Sequence, residues 1–290
     1  MNRLAILLLT TTLLTACNTP TSQPMPDSTA LTTDHSSGYA EVNGMKMYYE
    51  IHGTGEPLVL IHGGGSTIET SFGRIIPLLA KDHKVIAVEL QAHGRTGDRN
   101  QDLSFEQDAD DVAALLNTLN INKADFFGFS NGSTTTLQIA IRHPELVNRM
   151  VLGSALAKRN GVPGQFWDFM ANACLDNMPQ PLKDAYKQVA ADSAGLQVMH
   201  DRDAKRMVNF KDIPDDQLKT IQVPALIIVG DKDVITVPHA EEMHRLMANS
   251  QLAVIPGAHG EYMGEITTVQ DSTVIANTAK LITGFLDSKK

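Results

Sequence analysis

The segment Gly128-Phe129-Ser130-Asn131-Gly132 constrains the fold of this chain more than any other. An apolar run leads into it over 124–129, and a predicted helix follows over 133–142. Small residues on both sides of Ser130 permit the sharp turn that joins a strand directly to a helix. The Ser130 hydroxyl then lies at a helix N-terminus, where free N–H groups stabilise negative charge. We therefore predict that Ser130 is a nucleophile, and a glycine-rich turn with an incidental serine is the alternative.

The rest of the chain alternates between apolar runs typical of buried strands and segments with the apolar spacing of helices. Asn43-Gly44 separates the first two runs, which predicts a β-hairpin. The alternation predicts an α/β fold with a mostly parallel sheet covered by helices on both faces. The predicted strands are 40–42, 45–52, 57–61, 84–89, 124–129, 147–152, 225–229 and 251–255, and the other predicted helices are 72–80, 105–119, 238–247 and 272–286.

One region interrupts the alternation, because no convincing strand occurs from 155 to about 221. Helical segments over 164–174 and 181–191 predict a cap inserted into the sheet domain, and surface helices without a role at the site are the alternative. Four side chains of the first helix are expected to line a substrate pocket, although packing on the core would explain them equally. These residues are Phe166, Trp167, Phe169 and Met170.

A serine needs a general base to act as a nucleophile near neutral pH. Among the ten histidines, His259 follows the last predicted strand, and the loops at the carboxyl ends of parallel strands gather at one edge of the sheet. A carboxylate must orient this histidine and stabilise its charged form. Asp231 and Asp233 both follow the strand 225–229, and either one satisfies the requirement.

The oxyanion that forms when a serine attacks a carbonyl group needs hydrogen-bond donors. We predict that the backbone N–H groups of Gly64 and Asn131 supply them, because one follows a strand and the other directly follows the nucleophile. The side chain of Asn131 is expected at the pocket floor, where it would influence substrate choice. His62 is expected to shape the loop that contains Gly64, and His93 is expected to be structural.

The composition excludes several classes of function. A net charge of −9 over 290 residues argues against non-specific binding of nucleic acid. No basic cluster indicates a phosphate or nucleotide ligand, so no cofactor is predicted. His200-Asp201-Arg202-Asp203 contains residue types that bind metals, but a charged helix surface gives the same pattern, so no metal is predicted. Two cysteines, Cys17 and Cys174, do not indicate a disulfide framework.

The first residues are typical of a bacterial export signal. Arg3 precedes an apolar run of eleven residues, which is shorter than the roughly 20 residues of a transmembrane helix. The run ends in Leu14-Thr15-Ala16-Cys17, which resembles a bacterial lipobox and implies cleavage before Cys17 with lipid on its sulfur. Cleavage of an ordinary secretory signal after Ala16 is the alternative. Asn18 in the next position favours an outer-membrane location by the same resemblance.

The predicted organisation therefore has three parts. Residues 1–16 form the signal peptide. Residues 17–37, which are rich in threonine, serine and proline, form a disordered tether after the lipidated cysteine. The catalytic domain is expected over 38–290, with the cap inserted at about 155–221.

Five motifs in order resemble the α/β-hydrolase superfamily over roughly 38–286. They are HGGGS at 62–66, HGRT at 93–96, GFSNG at 128–132, GDKD at 230–233 and PGAHG at 256–260. The resemblance implies a serine hydrolase in which Ser130 is the nucleophile, Asp233 rather than Asp231 the acid, and His259 the base. The inserted cap is similar to the small-molecule esterase, peroxidase-like and C–C hydrolase branches of the superfamily.

Three functions are consistent with these residues. The first is hydrolysis of a carboxylic ester or similar acyl bond of a small molecule. The second is hydrolysis of a C–C bond or a lactone by the same triad, because the fold does not determine the substrate. The third is a surface-anchored binding lipoprotein that keeps the pocket without turnover. The oligomeric state is not indicated by the sequence.

Overall fold

The computed structural model describes residues 35–288, in which eight strands form one sheet. The strands are β1 (His35–Val42), β2 (Met45–His52), β3 (Glu56–Ile61), β4 (His83–Val88), β5 (Ala124–Phe129), β6 (Val147–Gly153), β7 (Ala225–Gly230) and β8 (Ser250–Ile255). Their order across the sheet is β1-β2-β4-β3-β5-β6-β7-β8. The pairs that include β2 are antiparallel and every other pair is parallel, which confirms the predicted mostly parallel sheet.

Helices cover both faces of this sheet. Alternate residues of β3 face opposite sides of the sheet. Val59 and Ile61 are buried with the helices over 105–118 and 131–142, whereas Leu58 and Leu60 are buried with those over 68–72, 76–79 and 272–286. Such a strand is apolar throughout because neither face meets water. The helices are α1 (Ile68–Phe72), α2 (Ile76–Leu79), α3 (Phe105–Thr118), α4 (Asn131–Arg142), α5 (Gly164–Ala171), α6 (Gln180–Val189), α7 (Gly195–Val208), α8 (Asp215–Thr220), α9 (Val237–Leu246) and α10 (Ser272–Leu286).

The amino-terminal boundary of the domain differs from the prediction. The sequence predicts that residues 35–37 belong to the tether, but they extend β1 and pair with residues 50–52 of β2. The turn between these strands has positive φ angles at Asn43 (44°) and Gly44 (85°), which suits a two-residue hairpin. Cys17 and the remainder of the predicted tether lie outside the described residues.

The single helix predicted over 72–80 is two short helices, α1 and α2. Gly73 ends α1, and a side chain there would overlap the carbonyl oxygen of Glu69. Pro77 lies in the first turn of α2, where its missing N–H costs no hydrogen bond. Apolar spacing alone does not reveal this break, because both helices direct their apolar residues into the same core.

Only helices and short 3-10 turns occur between β6 and β7. Of these, α5 and α7 contact each other, and their side chains line a cavity that also includes Ser130 at the carboxyl end of β5. We refer to α5, α6 and α7 with their connections as the cap. Within residues 35–288, no helix has the length and apolarity needed to cross a bilayer.

Candidate active site

Ser130 lies in the sharp turn between β5 and α4, with φ 53° and ψ −120°. This backbone conformation is unfavourable for a residue with a side chain. It is held by a 2.8 Å hydrogen bond from the Ser130 N–H to the carbonyl oxygen of Gly153. A side chain at Gly132 would overlap the carbonyl oxygen of Ile61, and one at Gly128 would overlap that of Gly132. The two glycines therefore allow α4 to pass directly against the sheet.

His259 lies in the loop after β8 and connects Ser130 to Asp233. Its Nε2 is 3.1 Å from the Ser130 Oγ, and its Nδ1 is 2.7 Å from Oδ1 of Asp233. Because a carboxylate only accepts, Nδ1 carries the proton and Nε2 is free to accept from the serine hydroxyl. The Asp233 side chain is fully buried, whereas that of His259 is 32% exposed. Substrate and water therefore have access to the imidazole but not to the acid.

Asp233 is stabilised as a carboxylate by several donors. Burial alone would raise its pKa, but the hydrogen bond and charge of His259, followed by the hydroxyl of Ser154, lower the pKa below its ordinary value. Ser154 donates to Oδ2 at 2.6 Å, and the N–H of Ile235 donates to Oδ1 at 3.0 Å. The phenol oxygen of Tyr262 lies 2.8 Å from the Ser154 hydroxyl.

Asp231, the second acid left open by its position after β7, does not contact His259. Its Oδ1 accepts a 2.8 Å hydrogen bond from the N–H of Gly257. This bond joins the loops after β7 and β8, so the role of Asp231 is to stabilise these loops. The structure thus brings Asp233, and not Asp231, to the imidazole.

The predicted oxyanion donors lie beside each other. A side chain at Gly64 would overlap Nδ2 of Asn131 and displace that amide, so glycine at position 64 lets the two residues lie close together. Within residues 35–288, neither the N–H of Gly64 nor that of Asn131 donates a hydrogen bond to another backbone group. Two free N–H groups next to a serine hydroxyl form a site that can stabilise an oxyanion.

His62 fixes the loop that contains Gly64. Its Nδ1 donates to the carbonyl oxygen of Gly63 at 2.7 Å, and its Nε2 accepts from the N–H of Leu90 at 3.0 Å. Burial, together with the nearby positive His93, lowers the pKa of His62 to about 3. The ring is therefore neutral and joins the loops after β3 and β4.

A cavity of about 220 Å³ opens from Ser130 into the cap. Its wall is mostly apolar, and none of the lysines or arginines within residues 35–288 lines it. Phe166, Phe169 and Met170 line it as expected for pocket residues, but Trp167 does not. The Trp167 indole instead donates to the carbonyl oxygen of Arg159 at 2.9 Å and lies under its guanidinium group. The other lining residues are Gly64, Gly65, Ser130, Asn131, Ala173, Asn177, Met178, Pro179, Leu182, Met199, His200, Asp203, Ala204 and Met207.

Two of the site's polar residues were missed by the motifs. Ser154 donates a hydrogen bond to Asp233 and directly follows β6. Its place after a strand, at the same edge of the sheet as the triad, is the one sequence signal that could have indicated this role. Asp203 contacts the loop after β3 from the cap, and no spacing rule connects these two segments. The segment 200–203 belongs to α7, and no group of three potential metal ligands occurs within residues 35–288.

Comparisons with known proteins find hydrolases among the similar sequences and structures. The human serine hydrolase BPHL is 28% identical over 254 residues, covering 81% of this chain and 84% of that protein. A pimeloyl-(acyl-carrier protein) methyl ester esterase of Neisseria meningitidis is 28% identical over 229 residues, covering 70% of this chain and 86% of that protein. A solved serine hydrolase involved in carbazole degradation has a TM-score of 0.71 at 22% identity, covering 87% of this chain and 98% of that chain.

The family described as the alpha/beta hydrolase fold matches residues 56–212, which is more than half of the 290 residues. This segment includes the turn at Ser130, both predicted oxyanion donors and most of the cap. The chain therefore belongs to the α/β-hydrolase fold family and is an enzyme of that fold.

Proposed function

We propose that this hydrolase cleaves a carboxylic ester of a small, neutral acyl group through an acyl-enzyme on Ser130. The observation that carries the proposal is the chain of contacts from Ser130 through His259 to Asp233, at 3.1 and 2.7 Å. The first distance allows a general base to take the proton of a hydroxyl nucleophile, and the second allows a carboxylate to orient that base.

The reaction proceeds in two halves. In the first, the Ser130 Oγ attacks the ester carbonyl while its proton passes to Nε2 of His259. The tetrahedral intermediate then expels the alcohol, which takes that proton from the imidazolium. In the second, water loses a proton to Nε2 and attacks the acyl-enzyme, and Ser130 regains its proton as the carboxylic acid leaves. Asp233 remains a carboxylate throughout.

Charge on the carbonyl oxygen develops in both halves, and the N–H groups of Gly64 and Asn131 are suited to stabilise it. Loss of one such donor costs on the order of 3 kcal/mol of transition-state stabilisation. The backbone supplies both donors, and backbone groups need little rearrangement during the reaction.

The cavity favours a short acyl group without charge. Its volume of about 220 Å³ is below the roughly 300–1,000 Å³ typical of sites for drug-sized ligands. Methionine and phenylalanine side chains of the cap form much of its wall. An apolar wall does not replace the water around a carboxylate, so anionic acyl groups would enter at a cost.

The second candidate is hydrolysis of a lactone or a C–C bond with the same triad. A lactone differs from an ester only in keeping the alcohol attached to the acyl group. Cleavage of a C–C bond releases a carbanion, which needs a partner for its delocalised charge. In the part of the chain that the structure describes, no lysine or arginine lines the cavity wall, which favours the ester over the C–C substrate.

The test measures hydrolysis of p-nitrophenyl esters of increasing acyl length, beside a lactone and a β-diketone. We expect turnover of the shorter esters, complete loss in Ser130→Ala, and unchanged turnover in Ser193→Ala, a control at an exposed serine of the cap. A fluorophosphonate probe should label the native enzyme and not Ser130→Ala. A protein that binds ligands without turnover would escape labelling, and retention of activity in Ser130→Ala would refute the proposed nucleophile.

A separate proposal concerns Cys17, which follows a lipobox-like segment at 14–16. We infer that the mature protein is a lipoprotein of the bacterial envelope, anchored by acyl chains on this cysteine. Metabolic labelling with an alkyne fatty acid in a bacterial host should mark the native chain and not Cys17→Ala. An unlabelled native chain that is cleaved after Ala16 would establish an ordinary secretory signal instead.

A further inference from the structure

Four charged side chains are buried where the cap meets the sheet domain. His93 follows β4, Asp108 lies on α3, and Asp203 and Arg206 lie on α7. Their side-chain exposures are 0%, 1%, 11% and 3%, respectively. We call these four residues the cap–core cluster. Buried charges are stable only when they are paired and hydrogen-bonded, so each contact within the cluster matters.

Asp203 is the centre of the cap–core cluster. Its Oδ2 lies 2.8 Å from Nε2 of His93, and its Oδ1 accepts from Arg206. The Arg206 guanidinium also donates to Oδ2 of Asp108 at 2.6 Å. Burial alone would raise the pKa of Asp203, but the positive Arg206 and His93 lower it, so Asp203 is a carboxylate.

The hydrogen bonds of His93 define its protonation state. Its Nδ1 is 2.8 Å from the carbonyl oxygen of Gln91, which can only accept. Its Nε2 faces the carboxylate of Asp203, which also only accepts. Burial lowers the pKa of His93, but the charge of Asp203 and its hydrogen bond outweigh burial and raise the pKa. The acceptors at both nitrogens therefore favour the protonated ring, and the Gly65 N–H, 3.3 Å from Nε2, has its shorter contact with Oδ2 of Asp203.

Asp203 also contacts the loop after β3. Its Oδ2 accepts a 2.5 Å hydrogen bond from the N–H of Gly65, the residue directly after the proposed oxyanion donor Gly64. Gly65 has a φ of +66°, a conformation that glycine adopts without strain but can also leave easily, so this hydrogen bond restricts the loop. On the other side of Gly64, the N–H of Gly63 donates to Ser71 over 3.3 Å, a weaker bond.

We propose that Asp203 is a positioning residue for the oxyanion site, so that the cap completes the catalytic geometry as well as covering the substrate. This inference rests on the proposed ester hydrolysis. The carboxylate orients the peptide that follows Gly64 and thereby directs the Gly64 N–H towards the carbonyl oxygen of the substrate. Small errors in the placement of such donors reduce transition-state stabilisation while leaving substrate binding largely intact.

A neutral amide cannot take over this arrangement. Asp203 accepts at Oδ2 from both Gly65 and His93 and at Oδ1 from Arg206. In Asp203→Asn, one of these positions becomes an NH₂ group that meets another donor. The variant therefore loses at least one contact of the loop or of the cap while its volume stays almost unchanged.

The test compares Asp203→Asn with Asp168→Asn, which makes the same change at an exposed position of cap helix α5. For Asp203→Asn, we expect kcat for a short p-nitrophenyl ester to fall at least about tenfold, since loss of a whole oxyanion donor costs about 10²–10³. KM should change by less than about threefold. The affinity for a boronic acid, which forms a tetrahedral adduct with the serine, should fall in parallel with kcat/KM. Asp168→Asn should match the native enzyme in all three measurements.

A purely structural role for Asp203 would give a different result. A folded Asp203→Asn protein with native kcat, or one whose loss lies entirely in KM, would overturn the inference. If Asp203→Asn does not fold, Asp203→Glu poses the same question with the charge kept and the carboxylate moved by one methylene. The proposal then requires a reduced kcat and weaker boronic acid binding, and native values for both would refute it. An inactive native enzyme that fails to bind the boronic acid would instead refute the proposed function, and with it this inference.

Discussion

The hydroxyl of Ser154 donates a 2.6 Å hydrogen bond to Oδ2 of Asp233. This bond leaves Oδ1 to face His259 at 2.7 Å, so the two oxygens of one carboxylate have separate tasks. Ser154 is fully buried, and its φ of 51° turns the chain at the end of β6. The carboxylate is thus oriented from a neighbouring strand end as well as from its own loop.

Replacement of Ser154 by alanine should therefore weaken catalysis through the orientation of Asp233. A hydrogen bond to a charged group contributes about 1.5 kcal/mol or more, so we expect kcat to fall about tenfold with little change in KM. Steady-state kinetics with a short p-nitrophenyl ester provide the measurement. If Ser154→Ala has native kcat, the Ser154 hydroxyl does not contribute to orientation of the acid.

Two glycine substitutions should have opposite effects on stability, because Gly132 lies at the close contact of α4 with β3 whereas Gly284 faces open space. Gly132→Ala places a methyl group on the carbonyl oxygen of Ile61, and we expect a loss of about 3 kcal/mol in the free energy of unfolding. Gly284→Ala lies in α10, where an added methyl group meets open space, and should gain up to about 1 kcal/mol. Urea denaturation measures both. Equal stability of the two variants would contradict the tight contact at Gly132.

The buried, neutral His62 predicts a pH dependence of stability. Its pKa falls from 6.5 to about 3 on folding, so between these values the unfolded chain binds more protons than the folded one. Stability therefore falls as the pH decreases from about 6.5 towards 3, by up to about 1.4 kcal/mol per pH unit for this one group.

The variant His62→Gln tests this dependence, because glutamine does not titrate and can still accept from Leu90. We expect a flatter dependence of the unfolding free energy on pH over this window, even if the variant is less stable overall. Urea denaturation at intervals between pH 3 and 7 measures the slope. Identical slopes in both proteins would show that His62 does not titrate in this way.

The chemistry of the cavity wall predicts discrimination against charged acyl groups. We expect kcat/KM for a hemisuccinate ester to be at least about tenfold lower than for the butyrate ester of the same phenol, since even 1.4 kcal/mol of unfavourable desolvation has this effect. Phe169 lines the cavity and is 51% exposed, so Phe169→Arg adds a cation without burying it. In this variant, the difference in kcat/KM between the butyrate and hemisuccinate esters should be smaller than in the native enzyme. Equal kcat/KM values for the two esters in the native enzyme would show that the apolar cavity wall does not discriminate against charged acyl groups.

Much of the fold could be predicted because its signals are local. The strand Ala124–Phe129 and the helix Ser272–Leu286 were predicted with their observed bounds, since apolar periodicity and flanking turns define both. Asn43-Gly44 likewise indicated the hairpin. The break at Gly73 was missed, because a periodic apolar pattern continues across two helices that pack on one core.

The candidate site could be predicted only in part, because some of its contacts depend on tertiary packing and not on local sequence. Ser130, Asp233 and His259 each follow a strand, so the parallel sheet predicts that they share an edge. The order of residues did not distinguish Asp231 from Asp233, because the choice depends on which carboxylate reaches Nδ1 of His259. The contact between Asp203 and Gly65 spans 138 residues and depends on how the cap packs, which no local pattern encodes.

The ion pair between Asp108 and Arg206 has a consequence for the construction of chimaeras. Its partners lie on α3 and α7, so one belongs to the sheet domain and the other to the segment that a cap exchange would replace. A transplanted cap without an arginine at this position would leave Asp108 as a buried carboxylate without a counter-ion, at a cost of about 3–5 kcal/mol. A stable hybrid therefore requires either an arginine at the position of Arg206 in the incoming segment or a compensating substitution at Asp108.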